Sequence, residues 1–456
     1  MRLVDRRWHV AIGLAVLALT LVAEAGAGGG PKTTLVSRES AGAGGAGGDD
    51  ESFNPSTSAG GRFTAFESFA DNLSGADDDL VSDVYVYDSQ RRTVELISRR
   101  SNKGAGGDGA SFAPKISSSG RYVAFSSSAD NLGGPIDTDV DNIYVYDRKE
   151  DVVRLVSRRS GRGGAAADDF SSDPAISPNG RFVGFSTSAD NLGGPIDTDV
   201  DNVYVYDLER RKVQLVSRRS GRGGAGGNES SFSPSLSSKG RLVAFESGAT
   251  NLGGPPLGAA TNIYVYDRER RKIRLVSRQS KGAGGESADA SSNDPFISAN
   301  GRVVGFETDA ANLGGPVGTV GPVSNIYVYD LARRKVALVS RESQANGGQG
   351  ADDQSDDPTL SANGRFVAFE TDARNLGGNL TNDPGEDTAY LYDRERKRVE
   401  LISRQSPADG GDGGNDDDED PDVAMSGAGV VVEAESDNLG GPTDPFASNN
   451  IYVRIR

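Results

Sequence analysis

The chain has 456 residues and a formal net charge of −17, with one histidine, one tryptophan and no cysteine. The histidine and tryptophan are His9 and Trp8, so neither occurs beyond the first 25 residues. Beyond residue 25 this composition excludes Ser-His-Asp and Cys-His catalysis, zinc sites built on His or Cys, and disulfides. The negative charge repels nucleic-acid phosphates and attracts cations and basic partners, so no nucleic acid is expected as a partner.

The first predicted element is an export signal. A basic start (Arg2, Arg6 and Arg7) precedes an apolar run of 14 residues from Val10 to Ala23, and small residues follow it. This layout predicts a signal peptide over residues 1–25, because a stable membrane span needs roughly 20 apolar residues. An uncleaved anchor is the alternative interpretation. We therefore expect a secreted or periplasmic protein without a stable membrane span, with residues 26–32 as a short linker.

Residues 33–456 contain seven copies of one unit, and this repetition predicts the fold. Each copy has a proline followed six residues later by a glycine, with glycines 59 to 63 residues apart. An Asn-Leu pair follows 11 positions after each glycine. The proline–glycine markers are Pro55/Gly61, Pro114/Gly120, Pro174/Gly180, Pro234/Gly240, Pro295/Gly301, Pro358/Gly364 and Pro421/Gly427.

Each copy predicts four short strands, a to d. In the second copy these are residues 114–117, 121–127, 143–147 and 152–158. An Asn-Gly turn, such as Asn179-Gly180, joins strands a and b in three copies and predicts a tight hairpin in which both central residues have positive φ. Consecutive apolar residues in strands b and c suit small sheets covered on both faces. No segment after residue 25 has helical periodicity.

Repeated four-stranded antiparallel units without helices predict an all-β fold, a seven-bladed β-propeller in which each unit is one blade. The chain ends support this prediction independently. The last copy contains strands a, b and c but lacks strand d, whereas residues 33–38 (TTLVSR) form a strand d that precedes the first copy. We therefore expect the N-terminal strand to complete the last blade, which closes the ring and removes two exposed sheet edges.

The repeat motifs also resemble a known family. The pattern Pro-x-Ile-Ser-x-x-Gly-Arg-x-Val-Ala-Phe-x-Ser, then Asn-Leu, then Asn-Ile-Tyr-Val-Tyr-Asp is similar to the WD40-like repeats of TolB-type β-propellers. The resemblance covers nearly all of residues 33–456. It implies periplasmic or extracellular interaction roles, including a Tol–Pal-like role in the cell envelope. Propellers of this family usually have six blades, whereas the present sequence predicts seven.

The meander topology sorts the charges between two faces of the predicted ring. Connections d–a and b–c share one face, which we call the loop face; its acidic segments include 41–52, 75–83, 349–357 and 407–422. Connections a–b and c–d share the opposite, turn face; its basic residues lie in 210–212, 270–272, 333–335 and 396–398 and at the arginine after each marker glycine, such as Arg121 and Arg181. Because loops carry most binding functions and the charge is segregated, the loop face is the expected binding surface.

Two nearly identical b–c connections are candidate calcium loops. In each, three aspartates alternate along the chain, which places their carboxylates on one side of an extended backbone. Calcium prefers such oxygen ligands, although the spacing does not match an EF-hand because Asn142 and Arg148 stand where glycine and glutamate are required. Two interpretations stay open: a calcium site, or acidic loop ends that only solvate the rim. The six aspartates are Asp137, Asp139, Asp141, Asp197, Asp199 and Asp201.

Two remaining residue classes bear on function. The tyrosines of strand c, such as Tyr144 and Tyr146, recur at fixed places in the blades, which predicts packing between blades. Carboxylates are numerous enough for a glycan hydrolase or lyase, but the sequence singles out no pair with the required spacing. We therefore expect a non-catalytic, monomeric propeller that binds a protein or a cell-envelope polymer on its loop face. No cofactor is required, and calcium is the one metal considered. A carboxylate-dependent glycan hydrolase or lyase and a Tol–Pal-like envelope component are the alternatives.

Overall fold

A computed structural model gives the architecture of the chain. It describes residues 32–40, 45–74, 81–134, 140–196, 200–254, 260–315, 323–378, 387–404, 418–424, 426–427, 429–434, 439 and 449–455. The predicted signal peptide and most of the linker lie outside these ranges. Within the described ranges, no helix has the length and apolar character needed to cross a membrane.

The described chain forms seven antiparallel sheets of four strands each, which confirms the predicted seven-bladed β-propeller. Strand a lines the centre of the ring, and strands b, c and d follow outwards. The inner strands a are β2 (Ser52–Thr57), β6 (Ser111–Ile116), β10 (Ser171–Ile176), β14 (Ser231–Leu236), β18 (Ser292–Ile297), β22 (Ser355–Leu360) and β26 (Asp418–Val423). Strands b are β3 (Phe63–Ser68), β7 (Tyr122–Ser127), β11 (Phe182–Thr187), β15 (Leu242–Ser247), β19 (Val303–Thr308), β23 (Phe366–Thr371) and β27 (Gly429–Ala434).

The two outer layers complete each blade. Strands c are β4 (Asp83–Asp88), β8 (Asn142–Asp147), β12 (Asn202–Asp207), β16 (Asn262–Asp267), β20 (Asn325–Asp330), β24 (Tyr390–Asp393) and β28 (Asn450–Ile455). Strands d are β5 (Thr93–Leu96), β9 (Val152–Leu155), β13 (Lys212–Leu215), β17 (Lys272–Leu275), β21 (Lys335–Leu338), β25 (Arg398–Leu401) and β1 (Lys32–Leu35). The β1 strand belongs to the last blade, so blade 7 combines both ends of the chain.

Ring closure takes the predicted form. The β1 strand pairs antiparallel with β28, with Thr34 opposite Val453 and Leu35 opposite Tyr452. Arg454 is buried at this junction, where its guanidinium donates to the Thr33 hydroxyl at 3.0 Å and to the Arg404 carbonyl at 3.0 Å. A single sheet therefore ties residues 32–35 to residues 450–455, and no edge of blade 7 is left without its fourth strand.

The core lies between adjacent blades. Each apolar cluster combines strands b and c of one blade with the facing strands of the next, as where Val84 and Val86 of blade 1 meet Val123 and Phe125 of blade 2. Within a blade, a phenylalanine of strand b stacks on the first tyrosine of strand c, as in Phe125 and Tyr144 at 5.9 Å between ring centroids. These side chains are fully buried, and the hydrophobic effect holds the ring together through them.

The hairpin turns between strands a and b differ from the prediction in one respect. Gly180 has a φ of 73°, but Asn179 does not have a positive φ. The Gly180 N–H donates to the Ser177 carbonyl at 2.7 Å, which closes a turn with only the last residue in the left-handed region. Between blades 3 and 4, a Cβ on Gly240 would lie 2.4 Å from the Phe182 ring. The marker glycines therefore serve both the turn and the packing of the neighbouring blade.

In the described residues, a strap fastens one blade to the next at six junctions, and sequence reasoning missed these straps. The strap is the segment directly after strand d, such as residues 159–165 after β9, and its ends meet where Arg158 bridges to Ala166. In the strap of blade 2, the Ser160 hydroxyl accepts the N–H of Val213, in the outer strand of blade 3, at 3.0 Å. The Gly161 N–H donates to the Arg211 carbonyl at 2.8 Å. The same serine contact is made by Ser40, Ser101, Ser220, Ser280 and Ser343.

The straps correct the predicted position of the d–a connections. Topology alone placed each connection on the loop face, but its first part runs along the outer edge of the following blade. It covers backbone groups that an edge strand otherwise exposes. The Arg158 guanidinium donates to the Gly164 carbonyl at 2.8 Å and closes the strap.

Candidate functional site

A cavity of about 400 Å³ occupies the centre of the ring. All seven inner strands line it, including the prolines that mark the repeats, such as Pro174 and Pro295. Its charged lining residues are Asp173, Asp294, Asp357, Asp422 and Lys115. Among the lining side chains that the structure describes, Lys115 is the only basic one, so the channel is predominantly acidic.

A bulge in the inner strands gives the channel residues their positions. Before the proline, the ladder between strands a and b slips by one residue, as between Asn293 and Phe296. The residue at this slip has a positive φ, which is 45° at Asp294 and 44° at Asp357. Aspartate and asparagine adopt this conformation more readily than most residues, and bulges commonly re-aim side chains at functional sites. The Asp-Pro pairs of the sequence therefore mark the acidic residues of the channel.

A second layer of carboxylates lies behind the bulges. The penultimate residue of strand b is glutamate in blades 1, 4, 5, 6 and 7 and serine in blades 2 and 3. The glutamate of one blade accepts the N–H of the bulge residue in the next blade, as from Ala113 to Glu67 at 2.5 Å and from Asp294 to Glu246 at 3.0 Å. The residues at this position are Glu67, Ser126, Ser186, Glu246, Glu307, Glu370 and Glu433.

The acidic residues form one arc of the ring. Together, the carboxylates of the bulges and of strand b in blades 3 to 7 and 1 will be called the channel carboxylates: Glu67, Asp173, Glu246, Asp294, Glu307, Asp356, Asp357, Glu370, Asp422 and Glu433. The glutamates lie near the b–c connections, so this arc opens towards the loop face. Blade 2 lacks an acid in both layers and contributes Lys115 instead.

Burial and crowding perturb the titration of the channel carboxylates. Burial, reinforced by the charges of Asp294 and Asp356 and by a hydrogen bond with Asp356, raises the pKa of Glu307 to about 9. Asn293 opposes this shift by donating to Glu307 Oε1 at 3.2 Å. Glu307 therefore holds a proton at neutral pH.

Asp422 is a second perturbed group in the channel. Burial raises its pKa to about 6, although the Thr57 N–H, at 2.6 Å, and the charge of Lys115 both favour the ionised form. Burial likewise raises the pKa of Glu246, opposed by the Asp294 N–H and supported by the charge of Asp173. Perturbed carboxyl groups inside a cavity are a common property of binding and catalytic sites.

The predicted calcium loops are only partly described. Asp137, Asp139, Asp197 and Asp199 lie outside the described residues, whereas Asp141 and Asp201 lie inside them. The Asp201 carboxylate accepts from the Ser188 hydroxyl at 2.7 Å and from the Ser230 hydroxyl at 3.2 Å. Burial raises the pKa of Asp141. In the described part of the chain, which omits four of the six aspartates, no group of three or more His, Cys, Asp or Glu side chains is arranged to hold a metal ion.

The turn face is basic, but its arginines fall into two groups. The c–d turns expose cationic side chains, such as Arg210 and Arg270. The arginines after the marker glycines instead pair with the buried aspartate that ends strand c, as where Arg181 donates to Asp207 at 3.0 and 2.8 Å. The frame carboxylates are the aspartates of these pairs: Asp88, Asp147, Asp207, Asp267, Asp330 and Asp393. Sequence reasoning counted these arginines as surface charge and missed the pairs.

Other repeated polar residues also belong to the frame. The Asn131 side-chain amide donates to the Gly106 carbonyl at 3.1 Å, and the Asp108 carboxylate accepts the N–H groups of Asp130 and Asn131 at 2.8 and 3.2 Å. One acid in the d–a connection therefore holds the end of strand b. The strand c tyrosines are buried, as predicted, so they offer no exposed platform for a ligand.

The fold and the acidic channel define a seven-bladed β-propeller with a polar central cavity. No protein-family model matches the chain, and no curated protein sequence matches it either. Several solved structures are similar to the chain. An oligogalacturonate lyase in complex with manganese is similar with a TM-score of 0.50 and 10% identity, over 93% of this chain and 96% of that one.

Two other solved structures illustrate the range of the similarity. TolB from Acinetobacter baumannii is similar over 70% of this chain, with a TM-score of 0.38 and 14% identity; the matched part is 58% of the TolB chain, less than two thirds of its length. The propeller domain of the Trilobed protease from Pyrococcus furiosus has a TM-score of 0.48 and 12% identity, over 84% and 90% of the two chains. At 10% identity, the likeness to the oligogalacturonate lyase shows the fold alone. The seven four-stranded blades confirm the propeller fold that the TolB-like, WD40-like repeats predict.

Proposed function

We propose that this protein is a non-catalytic, secreted or periplasmic binding propeller that receives a cationic segment of its partner at the loop-face mouth of the acidic channel. The partner is a protein or a cell-envelope polymer with exposed amino or guanidinium groups. The observation that carries the proposal is the arc of channel carboxylates. Their mutual repulsion lowers stability, and a bound cation relieves it, so the arrangement favours a basic ligand.

We expect the charges of the channel to contribute more to the binding of a cationic ligand than the charges of the loops. Exposed loop acids interact weakly because water and salt screen them. Four channel carboxylates, Asp173, Asp294, Asp357 and Asp422, line the cavity from four blades, and screening by solvent is weaker there than on the loops. Lys115 provides one internal cation, against Asp173, Asp294, Asp357 and Asp422. A lysine or arginine side chain of a partner therefore finds its counter-charges already in place.

The test uses a lysine-rich peptide and isothermal titration calorimetry. In the variant Asp294→Asn/Asp357→Asn, asparagine retains the positive φ of both positions while removing two charges. We expect binding at least about tenfold weaker than in the unmodified protein, equivalent to about 1.4 kcal/mol. The matched control is Glu209→Gln/Glu269→Gln, which removes two charges from exposed side chains on the turn face. If both variants bound the peptide equally weakly, the loss of affinity would be an effect of net charge, and the channel would be refuted as the binding site.

Calcium at the two aspartate loops remains a separate part of the proposal. Asp137, Asp139 and Asp141 would form one site, and Asp197, Asp199 and Asp201 the other. The support is the alternating spacing together with the half-buried positions of Asp141 and Asp201, the last residue of each triplet. Metal analysis of the purified protein, followed by a calcium titration of its melting temperature, tests the idea. Absence of calcium and an unchanged melting temperature would limit these loops to a structural role.

A second candidate function is a carboxylate-dependent glycan hydrolase or lyase. The specific observation in its favour is Glu307, whose raised pKa keeps a proton available at neutral pH beside Asp294, a residue that lines the cavity. Turnover of acidic and neutral polysaccharides should then be measured with the unmodified protein and with Glu307→Gln. Activity that survives the substitution would remove Glu307 as the proton donor, and an absence of turnover across the panel favours the binding role.

A Tol–Pal-like role in the cell envelope is the third candidate, and it rests on the repeat motifs. A pull-down from an envelope extract with the unmodified protein as bait is the direct test. Retrieval of a peptidoglycan-associated protein that depends on the channel carboxylates supports both this role and the proposed site. Failure to retrieve one counts against the Tol–Pal-like role but leaves the peptide experiment independent.

A further inference from the structure

A second kind of cavity lies on the outer side of the ring, at the junction between blades 4 and 5. It is a cleft between strand d and the strap of blade 4 and strand c and the c–d turn of blade 5. Between blades 4 and 5 this cleft encloses about 340 Å³. Its lining residues are Arg274, Leu275, Arg278, Lys281, Gly284, Gly285, Tyr329 and Arg334.

The charge of this cleft is uniformly positive. Three arginines and one lysine line it, and this lining, which is described in full, contains no acidic side chain. Arg278 donates to the Gly285 carbonyl, and Arg274 donates to the Leu331 carbonyl at 2.9 Å. A guanidinium has five N–H donors, so these contacts leave donors for a ligand. A Cβ on Gly285 would lie 2.9 Å from the Arg278 guanidinium, so glycine gives that group its place.

The junction between blades 1 and 2 is built from the same elements, but two carboxylates there balance its arginines, including Arg148, which lies 2.9 Å from the Glu95 carboxylate. Glu95 occupies the place of Arg274, the third residue of strand d, and Asp151 occupies the place of Arg334 in the c–d turn. The two turn residues have nearly identical φ values, 55° at Asp151 and 54° at Arg334. At this junction Arg99, the counterpart of Arg278, lies 3.4 Å from the Glu95 carboxylate and 3.2 Å from that of Asp151.

The comparison shows what is missing from the cleft between blades 4 and 5. At the junction between blades 1 and 2, two internal carboxylates neutralise the strap arginine. In the cleft, cations replace both carboxylates, and Lys281 of the strap, at the place of Asn102, adds a further positive charge. The junction between blades 2 and 3 is intermediate, with Arg154, Arg158 and Arg211 but a glycine at the place of Lys281. The positive charge is therefore specific to particular junctions and is not required by the fold.

We propose that the cleft between blades 4 and 5 binds a phosphate-type oxyanion, either free or as the terminal group of a larger molecule. Guanidinium groups match the paired oxygens of such an anion, and the hydrogen bonds formed are charge-assisted. A single carboxylate neutralises one of four cations, whereas a dianion neutralises two, so the cleft favours the more highly charged group. This site is separate from the acidic channel and does not depend on the function proposed for it.

The experiment gives the cleft the charge balance of the junction between blades 1 and 2. The variant Arg274→Glu/Arg334→Asp reproduces the residues of that junction, where the same backbone already carries Glu95 and Asp151, so it is expected to fold. Isothermal titration calorimetry with inorganic phosphate and with pyrophosphate, at constant ionic strength, measures binding. We expect saturable binding to one site in the unmodified protein and an affinity at least about tenfold weaker in the variant.

The matched control is Lys212→Glu/Lys272→Glu, which makes the same change in net charge at exposed positions outside the cleft. Retained binding in this control supports the cleft. Equal loss in both variants, or no saturable binding of either probe by the unmodified protein, overturns the proposal. Co-sedimentation with phosphatidylcholine vesicles, with and without phosphatidic acid, distinguishes the sources. If co-sedimentation requires phosphatidic acid and is lost in the cleft variant, the ligand is a lipid headgroup. If the protein binds only the soluble probes, the ligand is a soluble phosphate.

Discussion

The frame carboxylates all have lowered pKa values, whereas three of the channel carboxylates, Glu246, Glu307 and Asp422, have raised ones. Burial alone would raise the pKa of Asp207, but hydrogen bonds from Arg181 and from the Arg210 and Glu209 N–H groups outweigh it and hold the pKa below its usual range. Glu307 has carboxyl groups and an amide as neighbours, and its pKa rises. The difference lies in the counter-charge: each frame carboxylate has an arginine, whereas the channel carboxylates share Lys115.

This contrast separates the frame carboxylates, which an arginine neutralises in each blade, from the channel carboxylates, which have no such partner in common. The Arg–Asp pair recurs in six blades, at the same place, and its removal is expected to cost stability. The acids of the channel vary between blades, from serine to glutamate in strand b and from alanine to aspartate at the bulge. Because blades fold with or without an acid at these places, we expect the loss of a channel carboxylate to cost less stability than the loss of a frame carboxylate. The experiments below test this separation, beginning with the largest expected effect.

Deletion of residues 26–40 removes a part of the frame without touching any channel carboxylate. It takes away β1 and uncovers Arg454 and the apolar face of blade 7, where Leu35 and Val36 are fully buried. The loss of two large buried side chains alone costs about 4 kcal/mol or more. We expect a melting temperature at least about 4 °C lower, measured by circular dichroism. A melting temperature equal to that of the full chain would refute ring closure as a stabilising feature.

Asp207→Asn removes one frame carboxylate charge. The substitution weakens two guanidinium hydrogen bonds at 3.0 and 2.8 Å and two backbone N–H contacts at 3.1 Å. Hydrogen bonds to a charged group contribute about 1.5–3 kcal/mol, and we expect a loss of that size in the free energy of unfolding by denaturant titration. Asp294→Asn is the control from the channel. A similar loss in both variants would contradict the division between the two sets.

The pH dependence of stability distinguishes the two sets directly. Glu307 has a raised pKa of about 9, so the folded state holds a proton that the unfolded state releases above about pH 4.3. Stability therefore increases as the pH falls from 9 towards 4.3, by at most about 1.4 kcal/mol per pH unit. The frame carboxylates have lowered pKa values, so their contribution is present above about pH 4 and is lost as the pH falls through their folded pKa values.

The substitution Glu307→Gln should flatten the slope of stability between pH 7 and 9, above the pKa of about 6 of Asp422, and leave the acid unfolding below pH 4 unchanged. Denaturant titrations at intervals across this range provide the measurement. Glu209→Gln, which alters an exposed carboxylate, is the control and should keep the slope. A slope that persists in Glu307→Gln would assign the proton uptake to another group.

The smallest expected effect concerns the straps. Ser220→Ala removes the hydroxyl that accepts the Ile273 N–H at 3.0 Å at a partly exposed position. A hydrogen bond of this type contributes about 0.5–1.5 kcal/mol, and we expect that loss in thermal unfolding. Hydrogen exchange of the Ile273 amide should accelerate in the variant, while the amide of Val243, in strand b of the same blade, should not change. Unaltered exchange at Ile273 would show that the strap does not protect this edge.

The fold was predictable because its information is local and repeated. The marker prolines and glycines gave the period, the strand c motif gave a fixed element in each blade, and the missing last strand d gave the closure with β1. Each of these signals lies within one repeat or at the chain ends. The φ of Asn179 was not predictable in this way, because a turn with an Asn-Gly pair has more than one backbone solution of similar energy.

The site was less predictable because its residues are brought together by the curvature of the ring. Asp294 and Glu246 are 48 residues apart and meet only because adjacent blades face each other at the bulge. Sequence reasoning assigned charges to faces from loop connections, so it did not examine polar residues inside strands a and b. The repeated Asp-Pro pairs and the Glu after Phe in strand b, as in Phe245-Glu246, were the available signal. Asp137, Asp139, Asp197 and Asp199 remain predictions.

The straps give the ring a direction, since each reaches only the blade that follows it in the chain. The serine and the N–H that it accepts are separated by a nearly constant distance along the chain, 53 residues for Ser160 and Ser220 and 56 for Ser280 and Ser343. A tandem duplication of one repeat, wherever its breakpoints fall, therefore recreates every strap contact together with the new blade. Unequal recombination can thus add or remove whole blades without requiring new residues at the junctions. Only the angle between adjacent blades has to change.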